Sequence, residues 1–184
     1  MANILKYVFL AGLILAEVIR FPQRARVSRA RRAGQVSVSQ VKGSETLWMS
    51  LSFLGMYVLP LVFIFSNWLD FANYSLPVWA GVLGILFLIL ALYINWRAQV
   101  DLSKSWSPSL EVTEGQKLVT GGIYSVLRHP IYTAMLLFSA AQVQLLHNWI
   151  AGLFGALIFL PIYVTRVPRD EQMMLEQFGD QYRE

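Results

Sequence analysis

Five stretches of this sequence are apolar over lengths close to the thickness of a lipid bilayer, and nothing else in it restricts the fold as strongly. A spanning helix needs roughly 20 mostly apolar residues, with about 17 to 25 as the usual range. Ile4 to Ile19, Leu47 to Phe65, Leu76 to Trp96, Ile131 to Leu146 and Trp149 to Val164 meet or approach that length. The third is the clearest. The first carries Glu17 near its end, and the second contains Pro60. Only His147 and Asn148 separate the last two, which predicts a tight helical hairpin. The expected fold is an all-α integral membrane protein of about five transmembrane helices, in one domain over residues 1–184.

Composition agrees with this reading. Charged residues make up 14% of the 184, where a soluble domain has about 25%. A single soluble globule and a disordered tail are therefore both excluded. The 12 glycines and 7 prolines show no collagen-like period. The absence of cysteine removes disulfides, thiol nucleophiles, iron–sulfur clusters and cysteine zinc sites. Two histidines, His129 and His147, do not make a His-rich site, so no metal is expected. A cleavable signal peptide would need a small-residue cleavage site after the first apolar run. Arg20, Phe21 and Pro22 follow instead.

Basic residues set the expected orientation. Fourteen of the 15 Lys and Arg fall within residues 20–46, 97–130 and the tail beyond 164; Lys6 is the exception. The positive-inside rule then predicts an outside N-terminus and a cytoplasmic C-terminus. Trp48, Trp68, Trp79, Trp96 and Trp149 lie near predicted helix ends, as interfacial tryptophans do. Arg20 to Arg32 reads as a juxtamembrane anchor to anionic lipid, at about 1 kcal/mol per basic residue, rather than as a nucleic-acid patch. Glu17 is expected to reach Arg20 or Arg24.

Polar residues collect in two cytoplasmic places. The first is the run from Leu118 and Val119 through Gly121, Gly122 and Tyr124 to Arg128, His129, Pro130 and Tyr132. The glycines permit a tight turn with positive φ. Pro130 suits the first position of a helix, which puts His129 at its cap, where free N–H groups and the dipole favour an anion. The second is Arg166 to Glu171. Pro168 is expected to start a short interfacial helix ending at Phe178–Gly179, with Asp170 and Glu171 in its first turn. The hairpin would bring the two collections together, with Arg128 and Glu171 facing one hollow.

At these residues the sequence resembles the isoprenylcysteine carboxyl methyltransferase family, particularly its short prokaryotic members. The matching pattern is Leu118-Val119, Gly122, Tyr124, Arg128-His129-Pro130, Tyr132, Arg166, Asp170-Glu171, Phe178-Gly179 and Tyr182. The likeness is strong from about Trp106 to Tyr182, which marks 106–184 as the catalytic region. Part of the pattern also occurs in phospholipid N-methyltransferases and membrane sterol reductases. The family usually has Glu-Glu where this chain has Asp170-Glu171, so Glu171 is weighted above Asp170. It also continues past the Phe-Gly-x-x-Tyr stretch, whereas this sequence ends at Glu184.

The resemblance implies S-adenosylmethionine as cofactor, at the cytoplasmic end of the last two helices. Leu118, Val119, Gly122, Tyr124, Arg128, His129, Pro130, Tyr132 and Glu171 are the expected cofactor residues, and Arg166 and Glu171 the expected catalytic ones. The His129–Pro130 helix start would take the cofactor carboxylate, Glu171 its ammonium or ribose, and Tyr124 or Tyr132 its adenine. Arg166 would orient a carboxylate acceptor in two-point geometry. An amine acceptor would need a base, and Glu171 is the nearest. The expected partner is a lipophilic or prenylated substrate entering from the bilayer, with membrane lipids around it and no nucleic acid. The expected location is a prokaryotic cell membrane, with the site facing the cytoplasm. A lipid N-methyltransferase, an NADPH-dependent reductase and a non-catalytic scaffold are the alternatives. Against the reductase stand the short chain and the lack of a GxGxxG motif.

Overall fold

The computed structural model describes residues 2–32, 43–103 and 118–183. Lys42, Lys104, Trp106 and Lys117, which enter the sequence arguments above, lie outside the described residues. Those residues form α1 (Ala2–Arg32), α2 (Gly43–Phe53), α3 (Leu59–Phe65), α4 (Val78–Ser103), α5 (Pro130–Leu146), α6 (Phe154–Phe178) and α7 (Asp180–Arg183). A π turn, Leu54–Val58, joins α2 to α3, and a second, Trp149–Leu153, leads into α6.

Among the described residues, three continuous helical stretches are long and apolar enough to cross a membrane: Leu47–Phe65, Val78–Leu102 and Trp149–Phe178. The helix Pro130–Leu146 is apolar and slightly shorter. The outer faces bear side chains that a soluble fold would bury, among them Val82, Leu86 and Ile89 of α4 and Leu157, Leu160 and Val164 of α6. An apolar surface this continuous marks contact with lipid. The protein is an all-helical integral membrane protein.

Glycines let the helices approach closely. A Cβ on Gly81 would meet Leu5 at 2.9 Å, and one on Gly12 would meet Leu88 at 2.6 Å. These two pairings run α1 and α4 in the same direction. Gly84, early in α4, packs on Leu145, late in α5, while the turn just before α5 bonds to Asp101 at the end of α4, so α5 runs antiparallel to α4. Phe9, Leu88, Phe138 and Leu145 fill the space between them. The bundle thus has two ends. Arg20, Arg97, Asp101, Arg128 and Glu171 share one; Lys6, Asp70 and His147 share the other.

Where the hairpin turns, His147 adopts φ 49°, the left-handed region, and closes α5. Asn148 is fully buried, and its Oδ1 accepts from the Ile150 and Ala151 amides. Its Nδ2 donates to Leu69 O and Asn73 Oδ1, fastening the 66–77 connection to the hairpin. Gln142, also fully buried, donates from Nε2 to Gly55 O at 2.9 Å and Ala151 O at 2.6 Å. One acceptor sits in each π turn, and Gly55 of the first packs on Gly155 in the opening turn of α6, just past the second.

Two expectations need correction. The first helix does not end near Ile19 but runs through Pro22 to Arg32. Glu17 helps hold this extension, pairing with Arg24 and accepting a 2.6 Å bond from the Tyr57 hydroxyl, as its expected arginine contact foresaw. Nor does Pro168 start a separate interfacial helix, because α6 passes unbroken from Phe154 to Phe178. Proline removes one helix hydrogen bond, which a membrane helix tolerates when other groups compensate. The carbonyls left without a backbone donor are those of Leu157 and Val164, and between the two prolines Thr165 Oγ1 bonds back onto Pro161 O at 2.8 Å and Ile162 O within the same helix. Pro161 and Pro168 are seven residues apart, so both interruptions fall on one face. The helix ends at Gly179, φ 54°, where the sequence placed it.

Candidate active site

The site is built where α4, α5 and α6 end together. At its base lies Asp101, 5% exposed, in the last turn of α4. Arg97, one turn earlier, pairs with both of its oxygens at 3.1 and 3.2 Å. The Ile123 amide donates to Oδ2 at 2.8 Å. That bond holds the 3-10 turn Gly122–Ser125 against α4. Gly122 has φ +66°, and a Cβ there would come within 2.2 Å of Asp101 Oδ2. The position therefore requires glycine twice over, for its backbone angle and for the carboxylate pressed against it. Tyr124 sits half-buried in the same turn, and burial together with the Asp101 charge pushes its phenol up to about 12.

The turn delivers the chain to α5. Pro130 occupies the first turn of the helix, fully buried, with His129 as the cap residue. From α6, Glu171 reaches across to meet it: His129 Nε2 and Glu171 Oε1 lie 2.7 Å apart. The Tyr182 hydroxyl of α7 donates to the same oxygen at 3.2 Å. Arg128 approaches the other oxygen at 3.8 Å, and its guanidinium lies 5.5 Å from the centre of the Tyr182 ring. Burial first, then the nearby Glu171 carboxylate, holds the Tyr182 phenol above its usual range. The Arg128 side chain is 58% exposed and that of Glu171 30%, so both can be reached by a ligand.

Beside this cluster the Tyr132 hydroxyl donates to Asp170 Oδ2 at 2.6 Å. Its ring stands near His129 and edge-on to Tyr163, fixing the register of α5 against α6. Arg128, His129, Tyr132, Asp170 and Glu171 thus come together on one face, as the sequence arrangement required. Gly122 and Tyr124 form a second group around Asp101. Leu118 and Val119 are half-buried at the start of the described segment. Arg166 is half-buried on α6, one turn before Asp170, and its side chain has no hydrogen bond or ion pair with the described residues. It lies about 7 Å along the helix axis from Glu171, towards the bilayer.

Sequence reasoning gave no role to Asp101 or Tyr182, and ranked Asp170 below Glu171. A signal for Asp101 did exist: it is an acidic residue four after Arg97, at the end of an otherwise apolar helix. The bond from Tyr132 to Asp170 had none, since it depends on α6 remaining helical through Pro168.

Comparison with known proteins covers the same elements. Residues 82–176 match the model of the Isoprenylcysteine carboxyl methyltransferase (ICMT) family, from early in α4 to beyond Glu171. The chain is 29% identical over 108 residues to protein-S-isoprenylcysteine O-methyltransferase B of Arabidopsis thaliana, which covers 58% of this chain and 55% of the relative. It is 25% identical over 156 residues to the Homo sapiens protein-S-isoprenylcysteine O-methyltransferase, covering 80% and 55% respectively. The Schizosaccharomyces pombe protein of that name is 29% identical over 100 residues, covering 53% and 42%. The chain spans about half the length of the curated relatives it matches. The matched segment takes in Asp101, the Gly122 turn, Arg128 to Tyr132 and the Asp170–Glu171 pair, and on that match over half its length the chain belongs to the isoprenylcysteine carboxyl methyltransferase family.

Proposed function

We propose that this protein is a membrane methyltransferase that uses S-adenosylmethionine to methylate the carboxylate of a lipophilic acceptor of the isoprenylcysteine type. The observation that carries the reading is the meeting of His129, Arg128 and Tyr182 on the Glu171 carboxylate at the basic end of the bundle. The donor set fits the cofactor. An amino-acid zwitterion needs a carboxylate for its ammonium and a cation for its own carboxylate, and Glu171 and Arg128 offer both within one contact. The His129–Pro130 helix start adds free backbone amides for the same anion. In this reading Leu118, Val119, Gly122 and Tyr124 would lie along the nucleoside, with Tyr132 on the hairpin side.

When bound, S-adenosylmethionine supplies a methyl on positively charged sulfur that passes to a carboxylate oxygen, cancelling both charges. A carboxylate is already ionised at pH 7, so no residue here has to remove a proton. The protein's tasks are alignment and exclusion of water. Glu171, held by His129 and Tyr182, fixes the donor. Arg166, set back towards the bilayer, orients the acceptor carboxylate through its two-pronged guanidinium. Five crossings by α1, α2–α3, α4, α5 and α6 would put the N-terminus outside. The arginines gathered at the other end would put the site on the cytoplasmic side of the cell membrane, by the positive-inside rule. A lipophilic acceptor would then reach it sideways from the lipid.

Two measurements test this. Calorimetry on detergent-solubilised protein should show S-adenosylmethionine binding that S-adenosylhomocysteine competes away and Arg128→Ala weakens. Membrane extracts given tritiated methyl donor should form an alkali-labile methyl ester. Alkali-stable label would indicate an N-methyltransferase, and neither heat nor label would dispose of the proposal.

A further inference from the structure

A groove of about 740 Å³ opens at the end of the bundle opposite Glu171. Its volume lies in the range of small-molecule sites, roughly 300 to 1,000 Å³. One wall is apolar, formed by Leu5 of α1 and Val78, Val82 and Ile85 of α4. The rim carries Lys6 and Asp70. These two are the only charged residues in segments 2–16, 47–96 and 131–165 taken together. Both charged side chains of these segments therefore line one groove.

They do not pair with each other: among the described residues no ion pair joins Lys6 to Asp70. The Lys6 ammonium rests 3.9 Å from the centre of the Phe63 ring. A ligand with a single charge would satisfy one of the two and meet its own sign at the other. A neutral ligand would answer neither. A ligand bearing both charges beside an apolar chain satisfies the whole surface. The groove also sits at headgroup depth, since Trp68, Trp79 and Trp149 are exposed at the same end, as tryptophans at a membrane interface are.

We propose that this groove holds a zwitterionic phospholipid of the surrounding bilayer, with its phosphate at Lys6, its amine at Asp70 and one acyl chain along Val78, Val82 and Ile85. The length of α5 separates the groove from the Glu171 cluster by about 25 Å, at about 1.5 Å per residue. The bound lipid is therefore not the methyl acceptor, and the site stands or falls independently of the reaction proposed above.

The test is native mass spectrometry of the detergent-solubilised full chain, given phosphatidylethanolamine or phosphatidylglycerol at equal concentration. Both carry the phosphate, but only the first carries the amine. The wild-type chain should retain phosphatidylethanolamine about fivefold better, the discrimination expected of one exposed charge pair. Asp70→Asn should erase that preference, Lys6→Gln should lower retention of both lipids, and Val82→Trp, which fills the furrow, should remove both. Asp70 is exposed, so Asp70→Asn leaves the packing intact, and unchanged helical circular dichroism checks this for each variant. Equal retention of the two lipids by the wild-type chain, or wild-type behaviour of Lys6→Gln and Asp70→Asn, would overturn the proposal.

Discussion

Replacing Gly122 by alanine offers a sharp test of how the glycine turn is held. Two costs arise. At φ +66° an alanine sits in the left-handed region, which costs about 1 to 2 kcal/mol. The added methyl would also lie 2.2 Å from Asp101 Oδ2 and 2.4 Å from its Cγ, so the carboxylate has to leave. Leaving breaks the 2.8 Å bond from the Ile123 amide and disturbs the Arg97 pair. A hydrogen bond to a charged group is worth about 1.5 to 3 kcal/mol. The single variant should thus lose roughly 2.5 to 5 kcal/mol. With Asp101→Ala already present, the methyl meets no carboxylate and only the backbone cost of about 1 to 2 kcal/mol remains. The two substitutions should therefore couple by about 1.5 to 3 kcal/mol, well beyond ordinary additivity. Reversible unfolding of the four proteins in mixed micelles, followed by far-ultraviolet circular dichroism, measures the cycle. If the two losses simply add to within about 0.5 kcal/mol, Asp101 does not brace this turn.

Four further outcomes are expected. Glu171→Gln should weaken S-adenosylmethionine binding about tenfold by calorimetry, because it removes the charge in a charge-assisted contact. Arg166→Lys should lower kcat/KM for the acceptor about tenfold while leaving the calorimetric affinity for the methyl donor intact, since lysine keeps the charge and loses the two-point fork. Gln142→Leu should cost about 2 to 4 kcal/mol in the same unfolding assay, because Gly55 O and Ala151 O would be buried without a donor. Tyr124 gives a pH dependence: the unfolded phenol ionises near 10 and the folded one only near 12, so the folded state holds its proton longer. Its share of stability is intact below about pH 10 and falls as pH rises towards 12, and alkaline melts of Tyr124→Phe should lack that fall.

The sequence made the helical membrane fold legible because apolar length is a local property that each stretch displays by itself. Pro130 and Gly179 were equally readable, since each suits one end of a helix for a reason internal to the residue. The meeting of Arg128 with Glu171 followed from a two-residue hairpin connection, which leaves the chain few ways to place them. What stayed hidden depends on packing between distant segments. Asp101 lies 22 residues from the Ile123 amide that it accepts from, and neither position signals the other. Pro168 pointed to a break because proline weakens a helix locally, whereas the Tyr57 hydroxyl from which Glu17 accepts lies 40 residues away in sequence. Tyr182 belonged to the matching pattern, yet its role appears only once α7 folds back beside Glu171.

The π turn at Trp149–Leu153 sets the angular indexing of everything after it. A π turn accommodates an extra residue, and each residue of an α-helix advances the chain by about 100°. If that turn tightened to ordinary α geometry, Asp170 and Glu171 would swing by about that angle and lose sight of Tyr132 and His129. The phase of the acidic pair is thus chosen some twenty residues upstream, where Gln142 bolts the widened turn to its counterpart at Gly55. Deleting a single residue there would leave the hairpin apolar and helical while pointing its carboxylates away from the histidine.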